Sequence, residues 1–185
     1  MLLRLIEDMS HALDANCYLA ALSIALMLPD ICGRAEFPDE GTGKRYKGWF
    51  DRYVAPYEKC PFTGKDNTEM PFLSGELVYQ LRNAYLHQGN PNVEEDSVKE
   101  ERNRIDHFQL EIERKNEFDI YADASGIRND GFRSYQLNIH RLCLIIGKTA
   151  AGYYKDNTEK FDFFNFTILD QDEEIAKTRK MGFDW

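Results

Sequence analysis

The sequence has no CxxC pair, no HExxH, no GxSxG and no convincing carboxylate-pair motif. Those absences take the common zinc sites, the zinc proteases and the nucleophile-elbow hydrolases out of consideration. The four cysteines, Cys17, Cys32, Cys60 and Cys143, are widely scattered and read as reduced, structural thiols rather than a disulfide framework. Basic residues are in deficit: 23 Lys+Arg stand against 32 Asp+Glu, a formal net charge of −9 with an acidic excess in both halves. Nonspecific binding to duplex DNA or to an anionic membrane needs a basic face, so neither is expected. A nuclease with one local basic pocket is compatible with that charge. Long apolar runs are also missing. The longest, Tyr18 to Leu28, is too short to span a bilayer and follows Glu7, Asp8 and Asp14 rather than a positive segment. No membrane partner is expected, and a cytoplasmic location is.

What is present suits one globular domain over residues 1–185: 43% hydrophobic and 13% aromatic residues, enough for a sizeable core. Leu2, Leu5, Ile6, Met9, Ala12 and Leu13 fall at helical spacing, and the pattern runs on through Cys17, Ala20, Ala21, Ile24 and Leu28. Asp14 and Asn16 leave that stripe, so one long helix and two abutting ones both fit, with Pro29 and Gly33 marking the end. The small residues Ala20, Ala21, Ser23 and Ala25 suit a closely approaching neighbour helix. Gly41-Thr-Gly-Lys44 lacks the spacing of a phosphate loop, and no strand precedes it. Tyr46, Trp49, Phe50, Tyr53 and Val54 then share a helix face beside Lys44, Arg45, Lys47 and Arg52. Bases interleaved with aromatics can bind single-stranded RNA, whereas Trp49 at that spacing is more often core.

Ser74 to Gln88 reads as a helix, with Ser74 as N-cap, Gly89 as the stop and Pro91 just beyond. Phe108, Leu110 and Ile112 alternate with polar residues, as do Phe118, Ile120 and Ala122, which predicts a β-hairpin over about 106–123. Residues 134–155 return to helical spacing, and the Leu142–Ile146 run predicts a central helix. The expected fold is therefore mainly α, a helical bundle with a small inserted hairpin.

Arg–His pairs with four to six residues between them include Arg82–His87, Arg102–His107 and Arg133–His140. Only the first lies inside a well-bounded amphipathic helix. The stretch Leu81-Arg82-Asn83-Ala84-Tyr85-Leu86-His87-Gln88-Gly89 resembles the RxxxxH signature of the HEPN superfamily (higher eukaryotes and prokaryotes nucleotide-binding domain), in which Asn often follows the Arg. The resemblance implies a HEPN-like helical bundle that commonly dimerises and brings two motif copies into one cleft. It also implies metal-independent endoribonuclease activity with no cofactor, in a toxin–antitoxin, phage-defence or RNA-processing setting, where a cognate antitoxin or other protein partner is possible. Catalytic roles pass to Arg82, Asn83 and His87.

The residue types suit that chemistry. Histidine can act as acid or base near neutral pH, Arg82 offers a planar donor fork for phosphate, and Asn83 lies one turn before His87 on the same side. On a helical wheel Leu73, Leu77, Leu81, Ala84 and Tyr85 face the core, and Glu76, Gln80, Asn83 and His87 form a polar stripe. Arg82 lies about 140° from His87 around the axis. Tyr79 and Leu86 fall between them, opposite the core face, and are expected at a twofold interface. Read without the resemblance, His87 interacts with the last carbonyls of its helix, and Arg82 with Asn83 is solvated or bridged to carboxylates. The corresponding alternative function is a noncatalytic HEPN-like module that binds a nucleotide, an RNA or a protein partner.

Overall fold

Asn16 takes a left-handed backbone conformation (φ 58°) and divides the N-terminal apolar stripe into two helices, α1 (Leu2–Asp14) and α2 (Tyr18–Glu36). This computed structural model describes residues 1–59, 63, 69–90, 93, 98, 100, 103–113 and 121–180. Pro29 and Gly33 do not end α2; both are buried inside it. The packing of α2 on its neighbours outweighs the hydrogen bond that Pro29 cannot donate. Gly33 is there for space: a β-carbon on it would stand 2.6 Å from the backbone oxygen of Arg45. Ala21 and Ala25 are buried as the small-residue pattern predicts, whereas Ala20 is exposed.

Helix α3 (Thr42–Tyr53) crosses at Gly33 and turns Tyr46, Trp49 and Phe50 fully into the core, followed by the short α4 (Ala55–Glu58). Next comes α5 (Gly75–Gln88). Its N-terminal Gly75 is a second close approach, since a β-carbon there would meet the Lys47 carbonyl oxygen at 2.6 Å. The long α6 (Ile139–Asp156) packs on α1 and α2. Helix α2 is the one in contact with α1, α3, α5 and α6, so it takes the central place that the Leu142–Ile146 run suggested for α6. Leu142, Cys143 and Ile146 are buried, but Leu144 points outward at 36% exposure. Helix α2 is also long and apolar enough to cross a membrane by length and composition. More than half of that window is buried against the other helices, as in the core helix of a globular bundle.

The β-structure is a three-stranded sheet in the order β1 (His107–Glu111), β3 (Arg133–Asn138), β2 (Ala124–Ile127). Only part of the expected hairpin falls within the described residues. Its first arm is a strand, but β1 pairs in parallel with β3, Phe108 opposite Tyr135 and Leu110 opposite Leu137. The second expected arm falls at Phe118 and Ile120, outside the described residues, and Tyr121–Asp123 form no strand. A hairpin within the described residues joins β2 to β3 through the Arg128–Gly131 turn. Residues 134–138, expected to be helical, belong to β3 instead, with Tyr135 and Leu137 buried, and the helix begins only at Ile139. Phe161 is buried beside α6 in a short 3-10 helix (Thr158–Phe161), while α7 (Gln171–Lys180) has no buried residue. Asp170 caps α7 by accepting from the amides of Asp172 and Glu173. Cys32 and Cys143 are buried free thiols and Cys17 is exposed; Cys60 lies outside the described residues. Burial pushes the Cys143 thiol up to about 12.

Candidate functional site at the junction of three helices

Local rules set both ends of α5. The Ser74 hydroxyl accepts from the Leu77 amide at 3.2 Å, and the Gly75 amide donates to Asp51 Oδ1 at 2.6 Å. At the other end Gly89 is left-handed (φ 66°), and the amides of Gly89 and Asn90 donate back to the carbonyls of Tyr85 and Ala84. Leu73, Leu77, Val78 and Leu81 are fully buried and fix the rotation of the helix. One member of the expected polar stripe departs from it. Glu76 is buried, and its carboxylate accepts from Asn103 Nδ2 and the Glu100 amide. An acidic side chain in the first turn is favoured there by the helix dipole as well.

The 140° separation of Arg82 and His87 on the wheel does not keep them apart. The long Arg82 side chain lies along the helix, with Nη1 3.0 Å from Asn83 Oδ1 and 3.1 Å from His87 Nε2. A guanidinium can only donate, so His87 Nε2 is the acceptor and the imidazole proton sits on Nδ1. Arg82 Nη2 lies 3.8 Å from Asp30 Oδ2, within ion-pair range but too far for a hydrogen bond. Its Nε is buried without a hydrogen-bond partner.

Asp30 enters from α2 and Arg45 from α3, and sequence reasoning missed both as site residues. Arg45 places Nε and Nη2 3.0 and 2.9 Å from Asp30 Oδ1. The one signal for Asp30 was a lone carboxylate within the apolar span of α2. Arg45 stood out only as part of a basic patch. That patch does not interleave with aromatics, because Tyr46 and Trp49 are fully buried while Lys44 pairs with Glu40 and Arg52 with Glu36. Beneath the cluster the Tyr46 hydroxyl donates to the Leu26 carbonyl at 3.1 Å. Burial drives that phenol far above its ordinary value, against the opposing pull of Arg82, so it stays protonated at neutral pH.

Tyr79 is half-buried with its ring 5.3 Å from that of Tyr46, and Leu86 is half-buried against the core. This chain covers part of each side chain and leaves the rest exposed. The Arg133–His140 pair does not converge in this way. Arg133 in β3 donates from Nε to the Arg104 carbonyl, while His140 at the start of α6 stacks on Tyr121 at 3.8 Å. His107 is exposed on β1, and Arg102 lies outside the described residues.

A second polar cluster lies near the other end of α5. Arg141 Nη1 donates to Glu58 Oε2 at 2.7 Å and to Asp123 Oδ2 at 2.8 Å, and the Tyr135 hydroxyl also donates to Asp123. Arg141 is thus salt-bridged on the wall of a cavity that Glu58, Asp123 and Tyr135 also line. Among the described residues no three His, Cys, Asp or Glu side chains stand close enough together to hold a metal ion. Comparison of the chain with protein-family models, with curated proteins and with solved structures gives no match.

Proposed function

We propose that this chain is a metal-independent endoribonuclease of HEPN type, with Arg82, Asn83 and His87 as its catalytic residues. The observation that carries the reading is the 3.1 Å contact between Arg82 Nη1 and His87 Nε2, with Asn83 on the same guanidinium nitrogen. A phosphate oxygen is a stronger partner for a guanidinium than a neutral imidazole. When phosphate draws the Arg82 fork away, the Nε2 lone pair is released as a base. That base takes the 2′-OH proton, the 2′-oxygen forms a bond to phosphorus, and the bond from phosphorus to the 5′-oxygen breaks. The leaving 5′-oxygen needs a proton from an acid, a role that His87 of a second copy would fill in a composite dimeric site. The products are a 2′,3′-cyclic phosphate and a 5′-hydroxyl. The setting proposed is a cytoplasmic toxin–antitoxin or phage-defence system.

The rival reading is a noncatalytic HEPN-like module that binds a nucleotide, an RNA or a protein partner. It draws support from the way Arg82 already spends Nη1 on Asn83 and His87, in a chain of net charge −9. Cleavage of end-labelled structured RNA in excess EDTA separates the two. The nuclease reading expects cyclic-phosphate ends from the wild type and cleavage at least about 100-fold slower in His87→Ala. Wild-type dimer that cuts none of several RNA pools would leave the binding module in its place.

A further inference from the structure

We infer that Arg45 is a second phosphate-binding residue, which with Arg82 forms a two-arginine clamp for adjacent phosphates of a single-stranded oligonucleotide. The inference rests on the nuclease reading and names its substrate class: a chain with at least two phosphates, not a mononucleotide.

Asp30 stands between the two arginines. One of its oxygens takes Nε and Nη2 of Arg45, and the other faces Arg82 Nη2 at 3.8 Å. Two guanidinium groups from different helices therefore meet across one carboxylate. Two arginines and one aspartate leave a local surplus of positive charge in a protein of net charge −9. Cation patches of this kind steer polyanions towards a site. The donors are incompletely used. Arg45 commits only Nε and Nη2, while Arg82 Nη2 lies beyond hydrogen-bond reach of Asp30. Arg45, Arg82 and Asp30 keep 20, 19 and 24% of their side-chain surface exposed, so the pair is anchored yet reachable. Arginine rather than lysine suits this arrangement, because a planar fork can hold Asp30 with one edge and a phosphate with the other. Arg82 lies beside His87 and takes the scissile phosphate, which leaves the neighbouring phosphate to Arg45.

The test is fluorescence anisotropy with a short, labelled, 2′-O-methyl single strand, which cannot be cleaved, titrated across a KCl series. Each lost phosphate contact lowers the slope of log K against log[KCl] by about 0.7 for a single strand. Arg45→Gln is expected to lose that amount, Arg45→Lys to keep the wild-type slope, and Lys44→Gln, one residue away on the same helix, to leave it unchanged. A folded Arg45→Gln with the wild-type slope, or an equal loss in Lys44→Gln, overturns the clamp. If His87→Ala still slows cleavage by the otherwise active protein at least about 100-fold, the nuclease reading survives that failure. A wild type that binds no strand at any salt overturns both. Competition against the wild type keeps the question open to refutation should Arg45→Gln not fold. A 5′-phosphorylated dinucleotide, with two phosphates, is expected to displace the strand at a concentration at least tenfold lower than a mononucleotide, and equal potency overturns the clamp.

Discussion

The backbone oxygen of Arg45 lies against Gly33 so closely that a β-carbon on Gly33 would stand 2.6 Å from it. Gly33→Ala gains about 1 kcal/mol in helix propensity, but the clash is backbone against backbone and no side chain can rotate to relieve it. Helices α2 and α3 must separate, at the cost of overpacking, about 1–3 kcal/mol. We expect a net loss of several degrees in melting temperature. We also expect weaker oligonucleotide binding, because Arg45 moves away from Asp30. A variant that melts higher than wild type would show that the two helices have room to spare.

His87 is exposed and near the end of its helix, so its removal is a clean test of chemistry. His87→Ala should leave the melting temperature within a degree or two, as for most exposed positions. RNA cleavage should fall by about 10²–10⁴-fold, the range for loss of a general acid–base. Arg82→Lys keeps the charge but not the fork, and is expected to cleave at least tenfold more slowly than wild type. Equal rates for Lys and Arg at this position would mean that bidentate phosphate contact plays no part.

Glu36 ties α2 to three other elements. It accepts from Arg52 and Tyr53 on one oxygen and from Tyr153 and Lys160 on the other. Burial alone would raise its carboxyl, but the hydrogen bonds from Lys160, Tyr153 and Tyr53 outweigh it and hold the group below its ordinary value. A depressed carboxyl contributes stability that is present above its unfolded value and is lost as pH falls through the folded one. Thermal melts of wild type and Glu36→Gln should therefore differ most near neutrality and converge below about pH 4, under the ordinary Glu value. A constant gap across that range would contradict this.

Glu58 has the opposite sign. Burial raises its carboxyl, and the charge of Asp123 adds to the rise, while the hydrogen bond and charge of Arg141 only partly oppose them. Arg141 itself stays charged, because the two carboxylates outweigh its burial. A raised carboxyl contributes stability that is complete below the unfolded value and is lost as pH rises through the folded one. Glu58→Gln removes that loss and leaves Arg141 its contact with Asp123. The melting temperature of the variant relative to wild type should be higher at pH 7.5 than at pH 5. The reverse trend would mean that the ion pair with Arg141 outweighs the burial of Glu58.

The α5 helix was legible in the sequence because its signals are local: a serine cap, a glycine stop and leucines at 73, 77 and 81. The convergence of Arg82, Asn83 and His87 needs only one helix and a long side chain. Asp30 and Arg45 were not legible as partners, since their contact depends on how α2 and α3 cross. The parallel pairing of β1 with β3 is likewise nonlocal. It could not be read from the alternation at Phe108 and Leu110, which fixes a strand but not its neighbour. Pro29 and Gly33 misled for a related reason: their usual role as helix breakers gives way when the surrounding helices bury them.

Gly33 and Gly75 sit on either side of α3, and each touches a backbone carbonyl of that helix, Arg45 on one side and Lys47 on the other. The gauge of the junction is thus set by main chain against main chain, which has no rotamers to change. Binding should then consist of side-chain rotations on a frame that is already at its final spacing. The cost of ordering that frame is met in folding rather than at each encounter with a ligand.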